Sequence, residues 1–375
     1  MDLELAIGLG ATFAAVAFLA ALHRRRRTSE DAAQATLKGF RYVLSDEPDQ
    51  AIAELTSVAQ DARTIETYFA LGALFRRTGE HERAIRLHQN MLLKPELEEP
   101  LRSQIRQELA LDYQRAGMHE RAVEAWGQLL EAQPGHAEAL SHLREIHEER
   151  GEWAQAVEAQ TTLVEAGTGS RLVLAHLLAE AGLVEGDAAL AARFASKAAE
   201  VEPASAHAAL AAGLVLLKQG KKDEAAASLS RACELDPEQS VQAAGPLAGA
   251  GGEERAVAFF EGRLASADHA ATRVALAGRL REIGKVDQAL VHLRRALELD
   301  PRYVEARVEL GRALLESNMG EAARQEMQSL LETLGQQEPC FRCKSCGQGY
   351  AEPQFRCAAC RNWDTVERRA RSDKS

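Results

Sequence analysis

A chain of 375 residues is too long for one small core, so an extended array or several domains are expected. Aromatic residues make up only 5%, and Ala, Leu and Glu dominate, a mix that favours helices packed through small side chains. A net charge of -11 argues against nucleic-acid binding by the whole chain, although residues 340–375 carry eight Lys/Arg against four Asp/Glu.

The chain opens with an uncharged run from Leu5 to Leu22. As a helix this run would rise about 27 Å, close to the hydrocarbon thickness of a bilayer. A cleaved signal peptide needs positive charge before the apolar run, but here Asp2 and Glu4 precede it and Arg24 to Arg27 follow it. Residues 1–23 therefore read as a transmembrane anchor and 24–30 as its basic flank. The positive-inside rule keeps everything from Arg24 onward on the cytoplasmic side, where thiolates survive.

From 31 to 335 a pattern recurs at a period of about 34 residues. One copy shows Gly213, Gly220, Ala225, Leu229, Ala232 and Pro237; another shows Ala277, Leu280, Gly284, Ala289, Leu293, Ala296 and Pro301. Earlier copies carry Gly72, Phe75, Gly79 and Ala84, then Tyr113, Gly117, Ala122, Trp126 and Pro134. Weaker ones carry Gly151 and Ala156, and Gly186 and Ala191. The first has Gly39, Tyr42, Ala51 and Leu55, and the last has Gly311, Leu314 and Ala323. Small residues let two helices approach, glycine permits the turn between them, and proline stops the second helix. The stretch 238–268 keeps few of these marks. The pattern resembles the tetratricopeptide repeat, which implies an all-α solenoid of stacked helix pairs that binds other proteins.

That resemblance also implies which first-helix positions line the concave face. In one repeat they are Gln104, Gln107, Leu111 and Gln114; in the next, Glu138, Ser141, Glu145 and Glu148. A later set, His207, Leu210, Leu214 and Leu217, is unusually apolar for a solvated groove. It reads either as a docking surface or as a face covered by a neighbouring repeat or by the C-terminal module.

Five of the six cysteines lie between Cys340 and Cys360. Two CxxC turns, Cys343/Cys346 and Cys357/Cys360, can complete a tetrahedron around one ion, and clustering of this kind points to metal rather than disulfides. Gly347 suits a knuckle whose backbone opens toward a sulfur. Cys340 is the rival ligand. Zinc and iron both accept four thiolates, and the spacing does not choose between them. Tyr350, Phe355 and Trp363 are expected to pack around the site and limit water access. Cys233 reads as a packing residue. A link of only about seven residues should hold the module, residues 340–366, against the last repeats, with a basic tail at 367–375.

Anchor, basic flank, repeats and a rubredoxin-like four-cysteine end, in that order, closely resemble the lipopolysaccharide assembly protein B family. The segment from Leu71 to Gln89 looks like that family's second repeat. Arg342 to Gly347 and Cys357 to Trp363 look like its metal module. The resemblance implies one iron or zinc ion on Cys343, Cys346, Cys357 and Cys360. It implies a cell inner membrane adaptor that restrains lipopolysaccharide synthesis by promoting degradation of the lipid A-committing deacetylase by the membrane AAA+ metalloprotease. It also implies a gathering point for other lipopolysaccharide assembly proteins.

Two other functions compete with this one. A rubredoxin-like iron centre could transfer electrons. A zinc ribbon could bind nucleic acid through Arg342, Lys344, Arg356, Arg361, Arg368 and Arg369, though the acidic array opposes this and none is expected. No enzyme is expected: His147-Glu148-Glu149-Arg150-Gly151 starts like a metalloprotease helix, but Gly151 stands where the second histidine is needed.

Overall fold

The computed structural model describes Lys38, Tyr42, and residues 47–61, 65–95, 97–335 and 341–368. The expected anchor and basic flank lie outside the described residues, as do Gly39, Cys340 and residues 369–375. Among the described residues no helix is long and apolar enough to cross a membrane.

The chain divides into two compact units, 1–146 and 147–375. In the first, helices α1 (Pro48–Asp61), α2 (Ile65–Arg77), α3 (His81–Leu92), α4 (Glu99–Arg115) and α5 (His119–Ala132) follow one another, and α6 (Ala137–Glu149) runs to its boundary. The second holds α7 (Trp153–Glu165), α8 (Arg171–Val184), α9 (Ala188–Val201), α10 (Ala206–Lys218) and α11 (Lys222–Leu235). It continues through α12 (Ser240–Gly251), α13 (Glu253–Ser266), α14 (Ala270–Glu282), α15 (Val286–Leu299), α16 (Val304–Glu316) and α17 (Gly320–Gly335). This is a tetratricopeptide-type helical solenoid. A small sheet ends the described chain, in the order β2 (Gly349–Tyr350), β1 (Phe341–Cys343), β3 (Val366–Arg368), with both pairings antiparallel.

The repeat marks act as their chemistry requires. Glycines of the turn position, among them Gly79, Gly117, Gly151, Gly220 and Gly284, hold φ between 69° and 81°. Here glycine alone escapes the Cβ clash of left-handed backbone. In the last repeat Asn318 stands at this position with φ 58°, the residue best able to replace glycine there. At Gly213 a Cβ would lie 2.5 Å from Leu229 Cγ, so the two helices meet only because that atom is missing. Gly186 departs from the expectation: its repeat turns without a left-handed glycine, and the Asp187 carboxylate accepts the Leu190 N–H at 2.7 Å to start α9.

The stretch 238–268, poor in repeat marks, still forms the regular pair α12 and α13. Phe260 is fully buried in their shared core, which also holds Ala243, Leu247 and Val257. Burial thus replaces the missing motif. Leu210 is buried, and Leu214 and Leu217 are half-buried against the same core, so this set packs mainly within the array. Cys233 is also buried, and burial pushes its thiol up to about 12, consistent with a packing role.

Candidate metal centre and its seat on the repeats

The two CxxC turns fold as near copies of each other. The Gly347 N–H donates to the Cys343 carbonyl at 2.9 Å, and the Arg361 N–H donates to the Cys357 carbonyl at 2.8 Å. The Cys343 N–H donates to the Gln348 carbonyl and the Cys357 N–H to the Asn362 carbonyl, both at 2.9 Å. The residue after each second cysteine is left-handed: Gly347 at φ 77° and Arg361 at φ 61°. Glycine is the easy choice at the first; the second accepts the strain of a side chain there.

The turns bring Cys343, Cys346, Cys357 and Cys360 together, with all four sulfurs within 4.8 Å of one another. Cys343 Sγ lies 3.5 Å from Cys360 Sγ, and Cys346 Sγ 3.6 Å from Cys357 Sγ. These separations are far too long for disulfides. They approach the roughly 3.8 Å edge of a tetrahedron built on metal–sulfur distances of about 2.3 Å. Cys343 and Cys357 are buried, Cys360 is half-buried and Cys346 is exposed, so one edge of the cluster faces solvent.

Charge is unevenly shared among the sulfurs. Burial raises Cys343, but the Thr365 hydroxyl at 3.2 Å and the N–H groups of Cys346 and Ser345 outweigh it and bring its thiol down to about 6. At Cys360 the Asn362 N–H favours ionisation, yet burial and the three neighbouring sulfurs push the thiol up to about 12. Four thiolates this close repel one another, and a bound cation would remove that penalty. Donor type, number and spacing therefore fit one thiophilic metal ion.

The aromatic residues divide differently from the expectation. Tyr350 does serve the cluster: its hydroxyl lies 3.0 Å from Cys357 Sγ and accepts the Ala359 N–H at 3.2 Å. Phe355 and Trp363 instead face the repeats. Trp363 stacks on His176 with ring centroids 4.8 Å apart, and Phe355 stacks on His207 at 4.2 Å. Trp363 joins the core formed by Ala156, Leu177, Leu178 and Ala208.

The module is therefore not seated only on the last repeats. Its main contacts are with α7, α8 and α10, while Glu352 reaches an open cleft of about 510 Å³ lined also by Arg279, Glu305 and Arg312. A short link limits reach, but aromatic packing chooses the seat. Ion pairs fix its other edge: Arg356 pairs with Glu148 and Arg361 with Glu149, in the last turn of α6. The acidic pair in the sequence that resembled a protease helix is thus an anchor for the module. Of the basic residues considered for nucleic acid, Arg356 and Arg361 are engaged here, and Lys344 pairs with Glu367.

Sequence reasoning named Glu148 and His207 as concave-face residues but missed His176, Glu180 and Asp364. His176 Nε2 meets Asp364 Oδ2 at 2.8 Å, His176 Nδ1 meets His207 Nδ1 at 2.9 Å, and His207 Nε2 meets Glu180 Oε1 at 3.2 Å. The one signal available was the separation of the two histidines, 31 residues, close to one repeat.

Family models agree with the repeat architecture. Tetratricopeptide repeat models match residues 67–101, 108–171, 173–240 and 280–339, leaving the poorly marked pair between them unmatched. Lipopolysaccharide assembly protein B of Escherichia coli (strain K12) is 26% identical over 347 residues, covering 88% of this chain and 87% of that protein. The Haemophilus influenzae protein of the same name is 30% identical over 128 residues, 32% of each chain. Among solved structures, MamA 41-end from Desulfovibrio magneticus RS-1 aligns over 45% of this chain and 98% of its own, with TM-score 0.33 and 18% identity. A tetratricopeptide repeat protein from Parabacteroides merdae aligns over 76% of this chain and 99% of its own, with TM-score 0.28 and 16% identity.

Proposed function

We propose that this tetratricopeptide-repeat protein, similar along most of its length to lipopolysaccharide assembly protein B, is a non-enzymatic adaptor of lipopolysaccharide assembly. The observation that carries the reading is the joint presence of that similarity over 88% of the chain and a four-sulfur cluster seated on the repeats. In this reading Cys343, Cys346, Cys357 and Cys360 hold one iron or zinc ion. The ion is structural: it shapes the module that closes part of the concave face, and it performs no chemistry on a substrate.

The finer part of the proposal concerns place and partners. Residues 1–23 anchor the chain in the inner membrane, 24–30 form a basic flank, and the rest lies on the cytoplasmic side. The repeats, 31–335, and the module, 340–366, present the lipid A-pathway deacetylase to the membrane AAA+ protease. The test pairs Cys343→Ser with Cys346→Ser. Bound metal should fall to background and the cellular level of the deacetylase should rise. Loss of metal with an unchanged deacetylase level would separate the site from this role. A gentle membrane pull-down of intact protein that recovers neither partner would refute the partner assignment.

A further inference from the structure

Four ionisable side chains stand in one line through the seam between the module and the array: Asp364, His176, His207 and Glu180. His176 and His207 are almost fully buried, at 1% and 3% exposure, and three contacts of 2.8, 2.9 and 3.2 Å connect the line. Each contact needs one hydrogen. With both carboxylates ionised, two neutral imidazoles supply only two. The third hydrogen must come from one additional proton on the pair.

The surroundings decide where that proton sits. Burial, the largest influence, lowers the His207 pKa, the hydrogen bond to Glu180 opposes it, and His176 lowers it further. In the arrangement that meets all three contacts, His176 donates Nε2–H to Asp364 and Nδ1–H to His207. His207 stays neutral and donates Nε2–H to Glu180. All three contacts are then satisfied.

We propose that this line is a proton-gated latch: one shared proton fastens the four-cysteine module to the repeats, and a second proton, on His207, releases it. A second proton would set Nδ1–H against Nδ1–H across 2.9 Å. A histidine whose pKa is lowered in the docked state favours docking above its free value of about 6.5 and loses that contribution as pH falls. The other charges nearby do not replace the missing acceptor. Arg356 lies over the Trp363 ring at 5.5 Å and pairs with Glu148. Asp236 lines the adjoining cavity of about 240 Å³, but its carboxylate already accepts the Glu238 N–H and the Gln239 amide. Release would uncover Trp363, Phe355 and the His207 face of the concave surface, so acidity would control access to that face.

The test uses metal-loaded full-length protein carrying 5-fluorotryptophan. The Trp363 fluorine resonance is followed from pH 7.5 to 5, and bound metal is measured in the same samples. The docked resonance should be lost on acidification while metal is retained. His207→Asn presents Oδ1 to His176 and takes up no second proton, so its docked resonance should persist to pH 5. His176→Asn presents Oδ1 to His207, so a protonated His207 now has an acceptor. Acid should strengthen docking in this variant, opposite to the wild type. Metal lost in step with the resonance would overturn the latch. So would a wild-type resonance that does not move, or both variants following the wild-type profile.

Discussion

Two buried clusters, one in each compact unit, satisfy charge by different routes. In the first unit Asp112 is fully buried and accepts from Arg76 and from His88 Nδ1, both at 2.5 Å, while Arg76 also meets Glu108 at 2.6 Å. These partners lie 24 to 36 residues apart, about one repeat. In the second unit His176 meets Asp364 across 188 residues. The first cluster therefore joins neighbouring repeats and forms as soon as they stack. The second can form only after the module has folded on its four cysteines and found its seat. A short-range cluster stabilises the array itself; a long-range one reports whether two separately folded parts are together.

Substitutions can break that comparison. Asp112→Ala has the largest expected effect, because it removes the buried carboxylate that Arg76 and His88 share and leaves Arg76 with Glu108 alone. Loss of one member of such a pair costs about 3–5 kcal/mol. The helical denaturation midpoint should drop sharply, as read by circular dichroism in urea. Asp364→Asn is expected to act less and elsewhere. It weakens one partly exposed hydrogen bond to His176, worth about 1 kcal/mol. The Trp363 environment should loosen while the helical midpoint stays put. Equal shifts of the helical midpoint in both variants would erase the distinction between a stabilising cluster and a docking cluster. Asn318→Gly is the smallest: relief of left-handed strain should raise the unfolding free energy by less than about 1 kcal/mol, and a decrease would mean the asparagine side chain is needed there.

The repeat array was legible because its rules are local. Gly79 at a left-handed turn and Gly213 under Leu229 each do at short range what their residue type allows, so a 34-residue rhythm reveals them. The pair α12 and α13 was less legible because the core around Phe260, not a motif, holds it. The four-cysteine cluster was legible for the same local reason: each CxxC turn is built within a few residues, and only the meeting of the two turns is tertiary. Placement of the aromatic residues was not legible. Phe355 and Trp363 sit beside the cysteines in sequence, and nothing in that proximity says they face away from the sulfurs.

By itself, the order of residues determined the helical repeats, the two knuckles and the set of four thiols that can hold a metal. Tertiary structure alone decided where the module rests. It also turned Glu148 and Glu149 into its anchors and aligned two distant histidines between Asp364 and Glu180. The physical reason is range. Backbone turns and helix faces follow from neighbours in the chain, whereas a docking seat depends on the shape and charge of two surfaces that exist only once both parts have folded.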